Sequence, residues 1–258
     1  MLLRMRSALA DAYTSASQRA RVVSEDWAEA NLYCPACPSD SVRRLGANTK
    51  SIDFECGNCR AGFQLKSGSR QFGGCIPDGA YATMRDTILS ERTPNLFTLH
   101  YDLATWSVVN LAVIPSFAFT LSCLQKRPAL SQQARRAGWI GCNILLSNIP
   151  VDARIAMVCA GVAEEPRRVR KQFALLKPVA AIAPTQRGWT LDVLNAVRRI
   201  GKQIFTLGDM RAHVDELQRL HPDNRHVEDK IRQQLQRLRD LGFVEFVDNK
   251  GTYRVRTP

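Results

Sequence analysis

The chain has 258 residues, 45% apolar and 23% charged, with 36 Lys and Arg against 24 Asp and Glu for a formal net charge of +12. This composition excludes a disordered or fibrous chain, and the length allows a medium domain plus a small one, so two domains are expected. The positive excess lies on both sides of position 184 and suits a protein that holds a polyanion, nucleic acid first, the plainer alternative being a merely basic surface. The opening Met1-Leu2-Leu3-Arg4-Met5-Arg6 has no sustained apolar run, and the longest apolar region, 107 to 124, is interrupted by Asn110 and Pro115. Neither reads as a secretory signal or a membrane span, and a soluble intracellular protein is expected. Eight cysteines in a reducing compartment then point to metal binding or simple burial rather than disulfides.

In chain order, residues 7 to 31 are Ala-rich and polar without Pro or Gly, which predicts one helix leading into the first cysteine pair. Short β-prone runs follow at 52 to 55, 62 to 67, 96 to 101, 107 to 114 and 154 to 159, with helical material at 79 to 90, the pattern of a mixed α/β domain. Residues 160 to 188 carry the basic run Arg167-Arg168-Val169-Arg170-Lys171, then Pro178 and Pro184, and read as the join between domains spanning 1–184 and 185–258. Helical periodicity returns at 191 to 200, 207 to 220 and 226 to 241, with Thr206 and Asp209 spaced as a capping box. Runs at 243 to 247 and 252 to 255 flank Asp248-Asn249-Lys250-Gly251, a hairpin with a turn-forming tip.

Three helices followed by a hairpin is the order of a winged helix-turn-helix. In the third helix Ile231, Leu235 and Leu238 form a core stripe, while Arg232, Gln236 and Arg239 recur at i, i+4 and i+7 on a face suited to a DNA groove. A solvated surface helix in a protein-interaction module is the alternative. Lys250 at the hairpin tip, with Arg254 and Arg256 behind it, stands where a wing touches phosphates or is simply solvated.

Cys34-Pro35-Ala36-Cys37 and Cys56-Gly57-Asn58-Cys59 are two CxxC knuckles 18 residues apart, the spacing of a four-thiolate zinc site. Four sulfurs close the coordination shell, so such a zinc is structural; a redox pair would need one knuckle, not two. Cys75, Cys123, Cys142 and Cys159 lack this spacing and are expected to be buried. Around the second knuckle stand Asp53 and, on the next β-prone run, Gln64-Leu65-Lys66. Strand period 2 puts Gln64 and Lys66 on one face, with Phe63 and Leu65 towards the core. A carboxylate, an amide oxygen and the Leu65 carbonyl can hold Mg²⁺, and an ammonium can position a water and meet phosphorane charge. By spacing alone the same residues also fit two exposed strands. In Arg135-Arg136-Ala137-Gly138-Trp139 the arginines can reach phosphates and the indole can touch a methyl group, or the Trp is packed under its loop.

Asp53-x10-Gln64-x-Lys66 resembles the PD-(D/E)xK nuclease motif, in a Gln form similar to that of Mrr-like nucleases. Longer blocks resemble the DpnI-like, dam-replacing family of methyl-directed restriction endonucleases: residues 20 to 27, the knuckles, 78 to 84, 135 to 143, 187 to 190 and 230 to 235, so the likeness covers nearly the whole chain. The resemblance implies an α/β PD-(D/E)xK nuclease domain with Mg²⁺ at its catalytic centre and a four-cysteine zinc site, followed by a winged-helix domain. Both would read adenine-methylated GATC in duplex DNA, sparing the unmethylated site and leaving blunt ends. A monomer in the bacterial cytoplasm goes with that reading. The family has Glu where Gln64 stands, which costs the metal site one negative charge; Glu55, two residues from Asp53 on the same strand face, is a candidate to supply it. The rival reading is a methyl-adenine reader whose nuclease centre has weakened or decayed.

Overall fold

The computed structural model describes residues 1–46, 52–248 and 251–256. A short 3-10 turn, Ser7–Ala10, precedes helix α1, Ala16–Asn31. The single helix predicted for 7 to 31 is therefore interrupted: Tyr13 donates back to Ala10, and Ser15 is extended at the N-cap, the position its short polar side chain favours. Strands β1 (Arg43–Arg44), β2 (Phe54–Glu55) and β3 (Gly62–Gly68) lead to β4 (Cys75–Ala80) and α2 (Tyr81–Leu89). Then come β5 (Asn95–Asp102), β6 (Ser107–Ile114), β7 (Leu124–Lys126), β8 (Gly141–Leu145), β9 (Ile155–Cys159), β10 (Val162–Ala163) and α3 (Pro166–Leu176). The last part comprises α4 (Pro184–Ile200), β11 (Ile204–Thr206), α5 (Leu207–Met210), α6 (Val214–Leu220), α7 (Val227–Asp240), β12 (Val244–Phe246) and β13 (Thr252–Val255).

The chain divides into two compact units, each discontinuous: 1–73, 93–116 and 153–176 in the first; 74–92, 117–152 and 177–258 in the second. The first is built on a seven-stranded sheet ordered β1-β2-β3-β5-β6-β9-β10, antiparallel except where β3 and β5 run parallel. Its core includes Phe54, Phe63, Phe97, Leu99 and Val113, all fully buried, with Phe63 stacked on Phe97 at 4.8 Å. Helix α1 packs on β3, where the Ser24 and Ser67 hydroxyls meet at 2.9 Å. Helix α3 packs on β9 through Val169, Phe173 and Leu176. The run read as part of the join is thus a packed helix, with Val169, Phe173 and Leu176 as an i, i+4, i+7 apolar stripe and Arg167, Arg168 and Lys171 exposed.

The second unit holds a three-stranded sheet ordered β4-β8-β7 and the helices and hairpin of the C-terminal part. Pro77 and Gly79 hid β4 from sequence reasoning; the strand lies at the sheet edge and carries a bulge between Asp78 and Ala80, the places where a strand tolerates such residues. Helices α4 to α7 and the β12–β13 hairpin form a C-terminal helix-turn-helix-type domain, with β11 adding a strand beside β13. Ile231, Leu235 and Leu238 are buried as expected, and the stretch predicted as one helix from 207 is broken by a 3-10 turn at Arg211–His213. Asp152 and Arg198 form a largely buried ion pair with two bonds of 2.7 and 2.8 Å. No described helix is long and apolar enough to cross a membrane.

The Thr206–Asp209 capping box is present in both directions. Hydrogen bonds from Lys202 and from the Thr206 amide and hydroxyl bring the Asp209 carboxyl down to about 2. Because its folded value lies below the ordinary carboxylate value of about 3.9, its stabilisation is present above that pH and is lost as pH falls through about 2. Asp209→Ala should therefore lower the melting temperature at pH 7, with the difference from the parent shrinking steadily as pH falls from about 4 to about 2; a constant difference in thermal melts would contradict the cap's role.

Candidate metal and nucleic-acid sites

The four Sγ atoms of Cys34, Cys37, Cys56 and Cys59 lie within 4.8 Å of one another, with Cys34–Cys59 at 3.6 Å and Cys37–Cys56 at 3.5 Å. A tetrahedron of about 2.3 Å Zn–S bonds has edges of about 3.8 Å, so the cluster can hold zinc. Local backbone makes this possible. The Arg60 amide donates to the Cys56 carbonyl, and Arg60 turns the second knuckle at a φ of 61°, a left-handed conformation that costs a non-glycine residue about 1–2 kcal/mol. Asn58 donates to Cys37 Sγ at 3.5 Å. Burial opposes the Cys56 thiolate, but the amides of Cys59 and Asn58 outweigh it and bring the thiol down to about 6, whereas burial pushes the Cys34 thiol up. Of the cysteines outside the knuckles, Cys123 and Cys142 are buried as expected; Cys75 and Cys159 are exposed, at the start of one strand and the end of another.

The second knuckle closes the turn between β2 and β3, which pair with Phe54 opposite Phe63 and Glu55 opposite Gly62. Just before β2 the Asp53 amide donates to the Phe63 carbonyl at 2.8 Å, and the Leu65 amide donates to Asp53 Oδ2 at 2.7 Å. The Asp53 carboxylate is thus held at the Leu65 amide, with Gln64 and Lys66 its chain neighbours on β3, and all four residues are half-buried. Leu65 is less enclosed than its expected core position, unlike Phe63. Glu55 is committed elsewhere: its carboxylate meets Arg43 at 2.8 Å and Arg60 at 3.1 Å. Among the described residues, the four cysteines are the only group of three or more His, Cys, Asp or Glu side chains placed to share an ion, and Asp53 is not part of such a group.

The remaining predicted residues stand in the second unit. Arg135, Arg136 and Trp139 sit on the loop between β7 and β8, closed by the Leu130 amide to the Trp139 carbonyl at 2.9 Å and turned at Gly138, φ 76°. Both arginines are exposed, Trp139 is half-buried, and the Arg136 guanidinium lies 4.8 Å from the indole. A methyl group at Gly141 would come within 2.7 Å of the indole, so glycine there makes room for the ring. On α7, Arg232, Gln236 and Arg239 are all exposed, Arg232 pairing with Asp229 and Arg239 lying 4.6 Å from the Phe246 ring. Lys250 lies outside the described residues. Among the buried polar groups of this unit that the sequence did not reveal are Gln234, bonded by Thr190 at 2.8 Å, and Asp192, which meets His221 at 2.8 Å and Ser122 at 2.7 Å. Burial raises the Asp192 carboxyl, against the hydrogen bonds from His221 and Ser122.

A mixed α/β body carrying a cysteine cluster able to hold a metal ion, continued by a helix-turn-helix-type domain, is an arrangement that suggests a DNA-binding protein. Comparison with known families is more specific: the model of the Dam-replacing family, DpnI, matches residues 1–181, and that of the Dam-replacing HTH domain matches 185–255. The chain belongs to the DpnI family, which implies a methyl-directed restriction endonuclease.

Metal analysis of the purified protein should find close to one zinc per chain, and Cys56→Ser should lower both the zinc content and the melting temperature. Full stability with the cysteines metal-free would contradict the assignment of this cluster.

Proposed function

We propose that the protein is a methyl-directed restriction endonuclease that hydrolyses duplex DNA at adenine-methylated GATC with Mg²⁺, its first part being a PD-(D/E)xK nuclease core. The observation that carries this reading is the Leu65 amide bond to Asp53 Oδ2, which fastens a carboxylate beside the Gln64-Leu65-Lys66 segment. The donors fit Mg²⁺ by type, all being hard oxygens: the Asp53 carboxylate, the Gln64 amide oxygen and the Leu65 carbonyl. Bound there, the ion would act as a Lewis acid on the scissile phosphate. Lys66 orients the attacking water and meets the negative charge that grows on the phosphorane oxygens. Arg135 and Arg136 hold backbone phosphates, Trp139 offers an apolar face to the N6-methyl group, and Arg232, Gln236, Arg239 and Lys250 serve the winged helix in a second, independent readout. The zinc is structural, and the protein acts as a monomer in the bacterial cytoplasm.

One feature favours the rival reader: with Gln at position 64 the proposed Mg²⁺ site has one carboxylate fewer than the Glu form, which weakens its hold on a divalent ion. The test is incubation with adenine-methylated and unmethylated GATC duplexes, with and without Mg²⁺. The proposal expects cutting of the methylated duplex only with Mg²⁺; methyl-selective binding without cutting at any Mg²⁺ concentration would establish the reader instead. Lys66→Ala should slow cutting by at least about a hundredfold while leaving affinity and its salt dependence in place. Gln64→Glu should lower the Mg²⁺ concentration needed for half-maximal rate. Glu55→Gln should leave it unchanged, because that carboxylate is occupied by Arg43 and Arg60.

A further inference from the structure

Arg170 stands apart from the other basic residues of its run. Arg167, Arg168 and Lys171 are exposed on the outer side of α3, but the Arg170 side chain is only 24% exposed and turns inward. Its Nε donates to the Cys34 carbonyl at 3.1 Å, and one Nη to the Ser39 carbonyl at 2.8 Å and to Asp40 Oδ1 at 2.9 Å. The guanidinium also lies 5.1 Å from the centre of the Tyr33 ring. The Cys34 amide donates to the same Ser39 carbonyl at 3.1 Å, so one guanidinium grips both ends of the loop that carries the first knuckle.

An ordinary surface ion pair does not account for this arrangement. Asp40 is 89% exposed, and an ion pair with so solvated a partner contributes little. The invested geometry is directed at main-chain carbonyls of the cysteine loop, from a helix more than a hundred residues away in sequence and packed on β9. A divalent ion in four thiolates leaves a net double negative charge, and metal sites depend on outer groups that orient their ligands and offset that charge.

We infer that Arg170 is a positioning residue of the four-cysteine site: it holds the Cys34-to-Ser39 loop in its ligating shape and supplies the cation that offsets the bound metal–thiolate charge. This rests on the reading of the cluster as a zinc site. Through α3, it also ties the knuckle at one end of the seven-stranded sheet to β9 near the other.

The test compares Arg170→Met, Arg170→Lys and Asp40→Ala with the parent, following release of zinc to a chromophoric chelator and the charge-transfer and d–d absorption of the Co²⁺-substituted protein. Arg170→Met, which keeps the packing over Tyr33, should weaken metal retention by about tenfold to a hundredfold and alter the Co²⁺ spectrum. Arg170→Lys, which keeps the charge but loses the forked donors, should fall between the two, and Asp40→Ala should match the parent. If Arg170→Met fails to fold, the Lys variant decides by the same readout: parental retention there overturns the inference. Parental zinc release and an unchanged Co²⁺ spectrum in Arg170→Met overturn it too, with the zinc reading intact. A parent that takes up neither zinc nor cobalt removes both.

Discussion

Where β2 gives way to the chain before it, pairing with β3 is continued by a side chain: the Leu65 amide donates to the Asp53 carboxylate, while the Asp53 carbonyl accepts from Leu45. A carboxylate held this way cannot drift, because leaving would strand a half-buried amide without its partner, at a cost of about 1–3 kcal/mol. Everything proposed for the nuclease centre depends on that anchor. It fixes one carboxylate oxygen against the β3 segment that also carries Gln64 and Lys66. A slip of one residue between the strands would turn those two side chains to the opposite face.

A metal held by the cysteine cluster would guard against such a slip. Cys56 and Cys59 lie within the turn that joins β2 to β3, and Arg60 there holds a left-handed backbone conformation that would relax without restraint. The surrounding charges are arranged to the same end. Arg43 and Arg60 converge on Glu55, and Arg44 pairs with Glu25 of α1, so the arginines of the short outer strand fasten it to its neighbour and to the helix. These are exposed or partly exposed pairs, and their value lies in acting as a network rather than singly. The metal proposed for chemistry and the metal proposed for shape thus have separate ligands and meet only through the β2–β3 connection.

Much of this was legible in the sequence where one signal dominated. Two CxxC pairs announce that four thiols will cluster, and the C-terminal helices and hairpin follow from periodicity and turn chemistry, down to the Thr206–Asp209 cap. The losses have physical causes. Residues 160 to 188 read as a join because a run of basic residues surrounds Val169, the first of the apolar residues that bury α3, and Arg170 was hidden in that run. Strand β4 was masked by Pro77 and Gly79, which only an edge position excuses. Glu55 shares a strand face with Asp53, but period-2 reasoning cannot foresee that two arginines from either side will claim its carboxylate.

The central claim is that the cysteine cluster maintains the strand register on which Asp53 and Lys66 depend. Hydrogen exchange at the Leu65 amide, measured in metal-loaded and chelator-stripped protein, tests it directly. Strong protection is expected in the loaded protein, falling sharply on stripping together with the cleavage activity. Equal protection of Leu65 in both states, with the cysteines demonstrably metal-free, would contradict it.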